Sequence, residues 1–234
     1  MSAESRTFAL AITGASGALY AVRTMAALLE RNCHLELVVS DYGRRLLHDE
    51  LGEAASVNRL REYLVETYGD AASRGTFTLL SNKDLGATIA SGSHDCQGMV
   101  IVPCSMKTLA GVAHGLSRNL VERAADVMLK EKRRLVIVPR EAPMSLPQLK
   151  NMVLCAEAGA MILPAMPAFY QKPKTLEDLA DFMSLIPPAH GPQVIPRSFP
   201  RLRSGSTVSI FSPRWTPCSP TSVSCAPSRC TRAA

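Results

Sequence analysis

Four short polar segments, each directly after an apolar run, contain the side chains that could bind a phosphate or do chemistry. They are residues 14–17, Ser40 with Asp41, residues 104–108, and Arg140 with Glu141. The glycines of residues 14–17 permit close approach of the backbone, and amides at a helix start attract an anion. An ordinary tight turn accounts for so short a motif equally well. Ser16 could bond a phosphate, cap the helix or act on a substrate.

The sequence Cys-Ser-Met-Lys-Thr at residues 104–108 offers the hydroxyls of Ser105 and Thr108 and the amine of Lys107. These groups could line a polar ring or a phosphate. Taken alone, the segment is explained better by a serine that caps a helix and a solvated lysine. Cys104 is a poor candidate for a nucleophile, because the sequence shows no general-base partner for it.

Cationic side chains follow in the second half of the chain. Arg123 and Lys130 are seven residues apart, on one face of a predicted helix. Arginine suits bidentate recognition of phosphate, and a buried glutamate among cations can exchange protons, which makes Arg140 and Glu141 candidates. Taken singly, Arg123 and Lys130 are explained by an exposed charged face of a helix. Arg140 and Glu141 are explained by an ion pair in a loop. Tyr170, in a loop bounded by prolines, could donate to an anion or pack on the domain.

The elements that must position these residues alternate between apolar runs and helical patterns. The predicted strands are residues 8–12, 34–40, 77–80, 98–105, 133–140 and 160–164. The predicted helices are residues 17–30, 41–51, 57–68, 109–113, 119–130, 145–158 and 175–182, with a capping box of Ser145 and Gln148. Nearly continuous apolar strands between helices indicate a doubly wound parallel sheet, an α/β domain of the Rossmann or flavodoxin-like three-layer type. The four polar segments should therefore meet at the carboxyl ends of the strands.

The net charge of +6 comes from one part of the chain, because six Arg and no Asp, Glu or Lys follow Met183. Residues 1–183 are formally neutral and carry no basic stripe, which argues against a nucleic-acid partner. Residues 184–234 are rich in Pro, Ser and Arg and cannot bury enough apolar surface to order themselves. We predict a domain over residues 1–183 and an anomalous segment over residues 184–234. The segment is either a disordered natural tail or the product of a shifted reading frame.

Several classes of protein are not expected from the composition. No apolar stretch reaches the roughly 18 to 20 residues that span a membrane, and the N-terminus has no secretory signal, so we expect a cytoplasmic protein without a membrane partner. None of the seven cysteines forms C-x-x-C, and no histidine clusters with them at metal-ligand spacing. No metal site is therefore expected. The bland interpretation, reduced and buried thiols, is favoured for Cys33, Cys96, Cys104 and Cys155.

Taken together, four segments resemble the UbiX-type flavin prenyltransferase family, which includes the B subunits of hydroxyarylic acid decarboxylases. The segments are TGASGALYAV, VVSDYG, GMVIVPCSMKTLAGVAHGLSRNLVERAADVMLKEKRRLVIVPRE and GAMILPAMPAFYQKPKTLEDLADF. The resemblance implies transfer of a dimethylallyl group from dimethylallyl phosphate to N5 and C6 of reduced FMN, without a metal. It further implies a UbiD-type decarboxylase that receives the prenylated FMN, and a homododecamer with sites shared between subunits.

The resemblance also implies roles for individual residues. Flavin contacts are implied for Gly14, Ala15, Ser16, Ser40, Ser105, Met106, Lys107, Thr108, Arg123 and Arg140. Lys130, Arg140 and Tyr170 match residues that grip the isoprenyl phosphate. Ser16 and Glu141 match residues implicated in proton transfer.

One position departs from the family pattern. An arginine that contributes to the phosphate site in the family is replaced here by Ile186, within the anomalous segment. The departure leaves an alternative from another class of protein, an FMN-binding accessory subunit of an aromatic-acid decarboxylase without turnover. A third class, a flavin-dependent decarboxylase of the cysteine-decarboxylating type, fits the segments MLKEKRR and PAFY poorly.

Overall fold

The computed structural model of the chain describes residues 6–166, 169 and 172–184. Within these residues the strands are β1 (Thr7–Ile12), β2 (His34–Val39), β3 (Thr76–Leu80), β4 (Gly98–Cys104), β5 (Arg134–Pro139) and β6 (Met161–Ile162). The α-helices are α1 (Ala18–Leu29), α2 (Asp41–Leu51), α3 (Leu60–Tyr68), α4 (Met106–Ala113), α5 (Leu120–Lys130), α6 (Leu146–Glu157) and α7 (Leu176–Ser184).

The strands form a parallel sheet in the order β3-β2-β1-β4-β5-β6. Near the carboxyl end of β1, Ile12 pairs with Val39 of β2 and Ala11 pairs with Ile101 of β4. The order of strands reverses between β1 and β4, so the carboxyl ends of these two strands form the topological switch point. The predicted doubly wound α/β fold is thereby confirmed.

The two faces of the sheet bury different side chains because successive residues of a strand point to opposite sides. Along β1, Phe8, Leu10 and Ile12 pack with residues of α1, α2 and α3. Ala9 and Ala11 pack on the other face, with residues of α4 and α5. The last described helix, α7, packs against α1, and α6 packs against α4. Both faces of the sheet are therefore covered, as nearly continuous apolar strands require.

Polar residues at the carboxyl ends of the strands begin the following helices. Ser40 accepts a hydrogen bond from the amide of Gly43 in α2, and Ser105 accepts one from the amide of Thr108 in α4. The cap at Ser105 makes α4 begin at Met106, three residues earlier than apolar spacing predicts. The predicted capping box of α6 is present, and the side chain of Gln148 accepts from the amide of Ser145 at 2.7 Å.

The sequence also led to predictions about membrane spans and about the division of the chain into two parts. In the described part of the chain, no helix is both long enough and apolar enough to cross a membrane. The helix α7 ends at Ser184, and residues 185–234 lie outside the described residues. The division into a domain of residues 1–183 and an anomalous segment therefore stays a prediction.

Candidate functional site

A buried threonine joins the two strand ends at the switch point. The hydroxyl of Thr13 donates to the carbonyl of Pro103 at 2.9 Å and accepts from the amide of Ser105 at 2.7 Å. Thr13 is 1% exposed, so water cannot replace these bonds. The residues that follow β1 are thus held beside the residues that follow β4, and the polar segments at 14–17 and 104–108 meet.

A polar cleft of about 200 Å³ opens at this point of the rim. It is lined by Gly14, Ala15, Ser16, Ser105, Met106, Arg140 and Glu141. The side chain of Arg140 crosses from β5 and donates through Nε to the carbonyl of Ser16 at 3.1 Å. The structure therefore brings together three of the four polar segments, from the ends of β1, β4 and β5.

A second cleft, of about 310 Å³, shares Ser16 and Arg140 with the first. Its remaining lining is Gly17, Leu19, Tyr20, Glu50, Ala165, Leu176 and Leu179, so it is the more apolar of the two. Leu176 and Leu179 belong to α7, and an ion pair between Arg23 of α1 and Asp181 holds that helix in place. A phosphorylated ligand with an apolar portion could therefore place its charge near Arg140 and its carbon chain here.

The guanidinium of Arg23 also lies 4.7 Å from the ring centroid of Tyr68. Burial raises the pKa of the Tyr68 hydroxyl to about 12, with a further contribution from Tyr63. Tyr68 therefore stays neutral at physiological pH. Tyr68, at the end of α3, contacts Arg23 through a cation–π interaction, and the same guanidinium pairs with Asp181 of α7.

A carboxylate that the sequence analysis missed occupies the start of α1. Glu50, near the end of α2, accepts from the amide of Gly17 at 2.9 Å and from the amide of Ala18 at 2.7 Å. Gly17 precedes α1 with a φ of 122°, a conformation that favours glycine. Ser16 does not cap this helix, so capping does not account for it. Because 33 residues separate Gly17 from Glu50, no local motif could have revealed the contact.

Gly14 is required because the loop after β1 packs closely against α2. A Cβ added at Gly14 would lie 2.5 Å from the Cβ of Tyr42, at the start of α2. The side chain of Tyr42 is 76% exposed, beside the rim. The loop after β1 can therefore pack against α2 only when residue 14 has no side chain, which keeps its backbone open to the first cleft.

Three other predicted residues lie at the rim but outside these two clefts, namely Ser40, Lys107 and Thr108. Ser40 follows β2, and its amide donates to the carbonyl of Ile12 at 3.0 Å. Lys107 is exposed on the first turn of α4, where Thr108 contacts the hydroxyl of Ser105 at 3.0 Å. Ser40 and Ser105 are helix caps, so both fix helix starts that face the site.

Arg123 and Lys130 are not brought to the clefts within this chain. Arg123 pairs with Asp126 at 3.2 Å on α5. Lys130 ends α5, next to the start of β5, and forms an ion pair with Glu131 beside Gly92. This end of α5 lies at the amino ends of the strands, opposite the rim that carries Arg140. Tyr170 lies outside the described residues.

The site contains no activated thiol among the described residues. Cys104 is fully buried beneath Ser105, and burial raises the pKa of its thiol well above the ordinary range. Cys33, Cys96, Cys104 and Cys155 are buried and free, which confirms the prediction for these four. In the part of the chain that the structure describes, no group of His, Cys, Asp and Glu side chains could hold a metal ion. The polar groups that line the first cleft are the hydroxyls of Ser16 and Ser105, the guanidinium of Arg140 and the carboxylate of Glu141.

Comparison with known proteins places this geometry among flavoproteins. A model of the flavoprotein family matches residues 1–186. The flavin prenyltransferase UbiX of Halalkalibacterium halodurans is 46% identical over 176 residues, which cover 75% of this chain and 84% of the relative.

Solved structures show the same fold. The crystal structure of AnUbiX (PadA1), in complex with FMN and dimethylallyl pyrophosphate, matches with a TM-score of 0.69 at 37% identity. That match covers 78% of this chain and 89% of the other. The dodecameric FMN-dependent UbiX-like decarboxylase of Escherichia coli O157:H7 matches with a TM-score of 0.66 at 39% identity, over 76% of this chain and 91% of the other.

Proposed function

Because the chain belongs to the flavoprotein family, and within it to the UbiX flavin prenyltransferases, we propose that it prenylates reduced FMN. The donor is dimethylallyl phosphate, and the dimethylallyl group is joined to N5 and C6 of the flavin. The observation that carries the proposal is the convergence of Ser16, Ser105, Arg140 and Glu141 on one cleft at the switch point. Ligands of doubly wound sheets bind at this place.

The residues around the clefts fit a phosphorylated flavin. Ser16 and Arg140 supply hydrogen-bond donors, and Ser105 and Met106 bring the start of α4 to the cleft, where a helix favours negative charge. The first cleft is mainly polar and the second has apolar walls, which matches a ligand with a charged end and a flat apolar end. When bound, reduced FMN supplies the nucleophilic nitrogen and the ring carbon that accept the prenyl group.

The protein's main task in the first bond-forming step is to stabilise the departing phosphate. As the allylic C–O bond breaks, negative charge grows on the phosphate oxygens, and a preorganised guanidinium stabilises that charge. The Arg140 guanidinium is preorganised by its bond to the carbonyl of Ser16. Lys130 of another copy of the chain would add a second cation, because within one chain Lys130 lies at the amino ends of the strands, opposite the rim that carries Arg140.

Ser16 and Glu141 line the same cleft and supply the groups for proton transfer. Joining the prenyl group to the flavin ring carbon would consume the prenyl double bond, so a proton must be added to the prenyl chain while the ring carbon loses one. A carboxylate oxygen of Glu141 can take a proton, and the hydroxyl of Ser16 can pass one on. The Glu141 side chain accepts from the amide of Ala142 at 3.2 Å, which orients it at the rim.

The proposal extends to partners. Prenylated FMN is a cofactor for another enzyme rather than an end product, so we propose that a UbiD-type decarboxylase receives it. We also propose a homododecamer, the assembly of the Escherichia coli relative. Within it, Lys130 of one copy would have to reach the rim of another.

The test is anaerobic incubation of this 234-residue chain with reduced FMN and dimethylallyl phosphate, followed by mass spectrometry of the extracted flavin. We expect the flavin mass to increase by one prenyl unit, and omission of dimethylallyl phosphate to abolish the increase. A bound flavin of unchanged mass would favour the accessory subunit instead. That second candidate is supported by Ile186, which replaces a family arginine and lies outside the described residues.

A further inference from the structure

A third cleft, of about 490 Å³, lies at the carboxyl ends of β2 and β3, away from the residues that line the flavin clefts. Its lining is Val39, Asp41, Arg44, Ser81, Asn82, Lys83, Arg118 and Asn119. None of these residues lines the clefts around Arg140 and Ser16. The cleft is thus a separate cavity on the same rim.

The two asparagines of this cleft have their acceptor atoms already used. The carbonyl oxygen of the Asn82 side chain accepts from the amide of Val121 at 3.2 Å. The carbonyl oxygen of the Asn119 side chain accepts from the amide of Glu122 at 3.0 Å. The NH₂ group of each side-chain amide takes no part in these bonds and can donate to a ligand. The first turn of α5 is capped by these bonds, so the helix start itself is not the binding feature.

The hydroxyl of Ser81 also already accepts a backbone hydrogen bond. Its oxygen accepts from the amide of Lys83 at 3.3 Å, which leaves its O–H free to donate. The polar wall of the cleft therefore consists mainly of donors, and a matching ligand must be rich in acceptors.

The charged side chains of the cleft also favour an anionic ligand. Arg44, Lys83 and Arg118 face one lining carboxylate, that of Asp41. Arg118 also pairs with the buried carboxylate of Glu122 at 2.8 Å. Among the described residues, no carboxylate forms an ion pair with Arg44 or Lys83, while the neighbouring Arg45 is paired with Asp49 at 3.2 Å.

We propose that this cleft is a second anion site, which binds orthophosphate or a phosphate monoester while the flavin clefts are occupied. Arg44 and Lys83 supply the charge, and Ser81, Asn82 and Asn119 supply neutral donors. A phosphate fits because it presents many acceptor oxygens and a charge of up to two, whereas a carboxylate ligand would leave most of these donors unmatched. The prenyl-transfer reaction releases orthophosphate on the same rim, but the site does not depend on that reaction.

The experiment is isothermal titration calorimetry of orthophosphate, in phosphate-free buffer of low ionic strength, into protein already saturated with FMN. We expect binding that weakens with added chloride salt, since the cations are exposed. The double variant Arg44→Gln with Lys83→Gln should weaken binding by about 100-fold or more, because two charged hydrogen bonds are lost. The matched control, Arg45→Gln with Lys150→Gln, removes the same charge elsewhere and should bind like the parent.

A second arm separates the two sources of phosphate. If the phosphate of FMN itself reached this cleft, saturation with FMN would abolish the binding of orthophosphate. The double variant of Arg44 and Lys83 would then bind FMN more weakly than the parent does, but would bind riboflavin equally well. That pattern would overturn the proposal of a second site. Equal loss of orthophosphate binding in the control variant, or no binding to the FMN-saturated parent, would overturn it as well.

Discussion

The carboxyl edge and the amino edge of the sheet differ in what they can do alone. At the carboxyl edge, Arg140, Ser16 and Glu141 share one cleft. At the amino edge, Lys130 pairs with Glu131, and a Cβ added at Gly92 would lie 3.2 Å from its ammonium group. The seven residues of β4 put about 20 Å between the two edges.

If Lys130 belongs to the proposed site, one copy of the chain holds only part of that site. A lysine at the opposite edge cannot help a phosphate to depart from the rim of its own chain, because the sheet lies between them. The proposed dodecamer resolves the conflict if the amino edge of one copy meets the carboxyl edge of another. The following predictions test each edge in turn.

Arg140→Gln should have the largest effect, because it removes the guanidinium that the fold preorganises at the cleft. Loss of a charged hydrogen bond costs about 1.5–3 kcal/mol, which corresponds to roughly a 10- to 150-fold lower rate of prenyl transfer. The rate is measured from the mass of the extracted flavin. Arg45→Gln, on the exposed face of α2, is the control and should keep the parental rate. A parental rate in Arg140→Gln would refute the role of this edge.

Lys130→Gln should lower prenyl transfer by about tenfold, since one cation at the leaving group is lost. The affinity for FMN, measured by quenching of flavin fluorescence, should not change by more than about twofold, because the proposal assigns Lys130 to the departing phosphate and not to the flavin. Lys150→Gln is the matched control on α6. A large loss of FMN binding would mean that Lys130 acts on the fold or the flavin rather than on the phosphate.

Thr13→Val should act on the fold of the carboxyl edge rather than on its chemistry. The substitution keeps the shape of the side chain but leaves the amide of Ser105 without its partner, which costs about 1–3 kcal/mol. The carbonyl of Pro103 loses the hydroxyl bond but still accepts from the backbone amide of residue 13 at 3.2 Å. Thermal unfolding monitored by circular dichroism measures the loss. Thr175→Val, at the exposed start of α7, should cost less. The reverse order would show that Thr13 does not hold the switch point together.

The smallest effect concerns pH and the start of α7, whose leucines line the second cleft. Amides of Lys174 and Thr175 donate to the Asp178 carboxylate and hold its pKa below the ordinary 3.8. A depressed pKa contributes stability that is present above 3.8 and is lost as the pH falls through the native pKa. The difference in unfolding temperature between the parent and Asp178→Asn should therefore be full at pH 6 and shrink below pH 3.8. A difference that grew on acidification would contradict this assignment.

The fold was largely accessible from sequence because its signals are local. Apolar runs located the strands, α2 lies at its predicted bounds, and Ser145 with Gln148 marked the start of α6. Apolar spacing placed the start of α4 at residue 109, whereas the interpretation of Ser105 as a helix cap is confirmed and accounts for the start at Met106.

The site was accessible only in part, because its supporting contacts join residues far apart in sequence. The predicted segments around Ser16, Ser105 and Arg140 meet at the rim. The bonds from Glu50 to the start of α1 and from Thr13 to Pro103 span 33 and 90 residues, and no periodicity or motif encodes them. The position of Lys130 at the opposite edge follows from the direction of α5, which spacing along a helix face does not reveal.

The most direct test of a site built from two edges is complementation between Arg140→Gln and Lys130→Gln. Each variant alone should keep about a tenth of the parental rate or less. In oligomers co-expressed from equal amounts of the two chains, about one site in four should combine an intact Arg140 edge with an intact Lys130 edge. The account predicts that the mixed oligomers recover prenyl transfer, measured from the mass of the extracted flavin, to that fraction of the parental rate. Activity no higher than that of the two variants alone would contradict it.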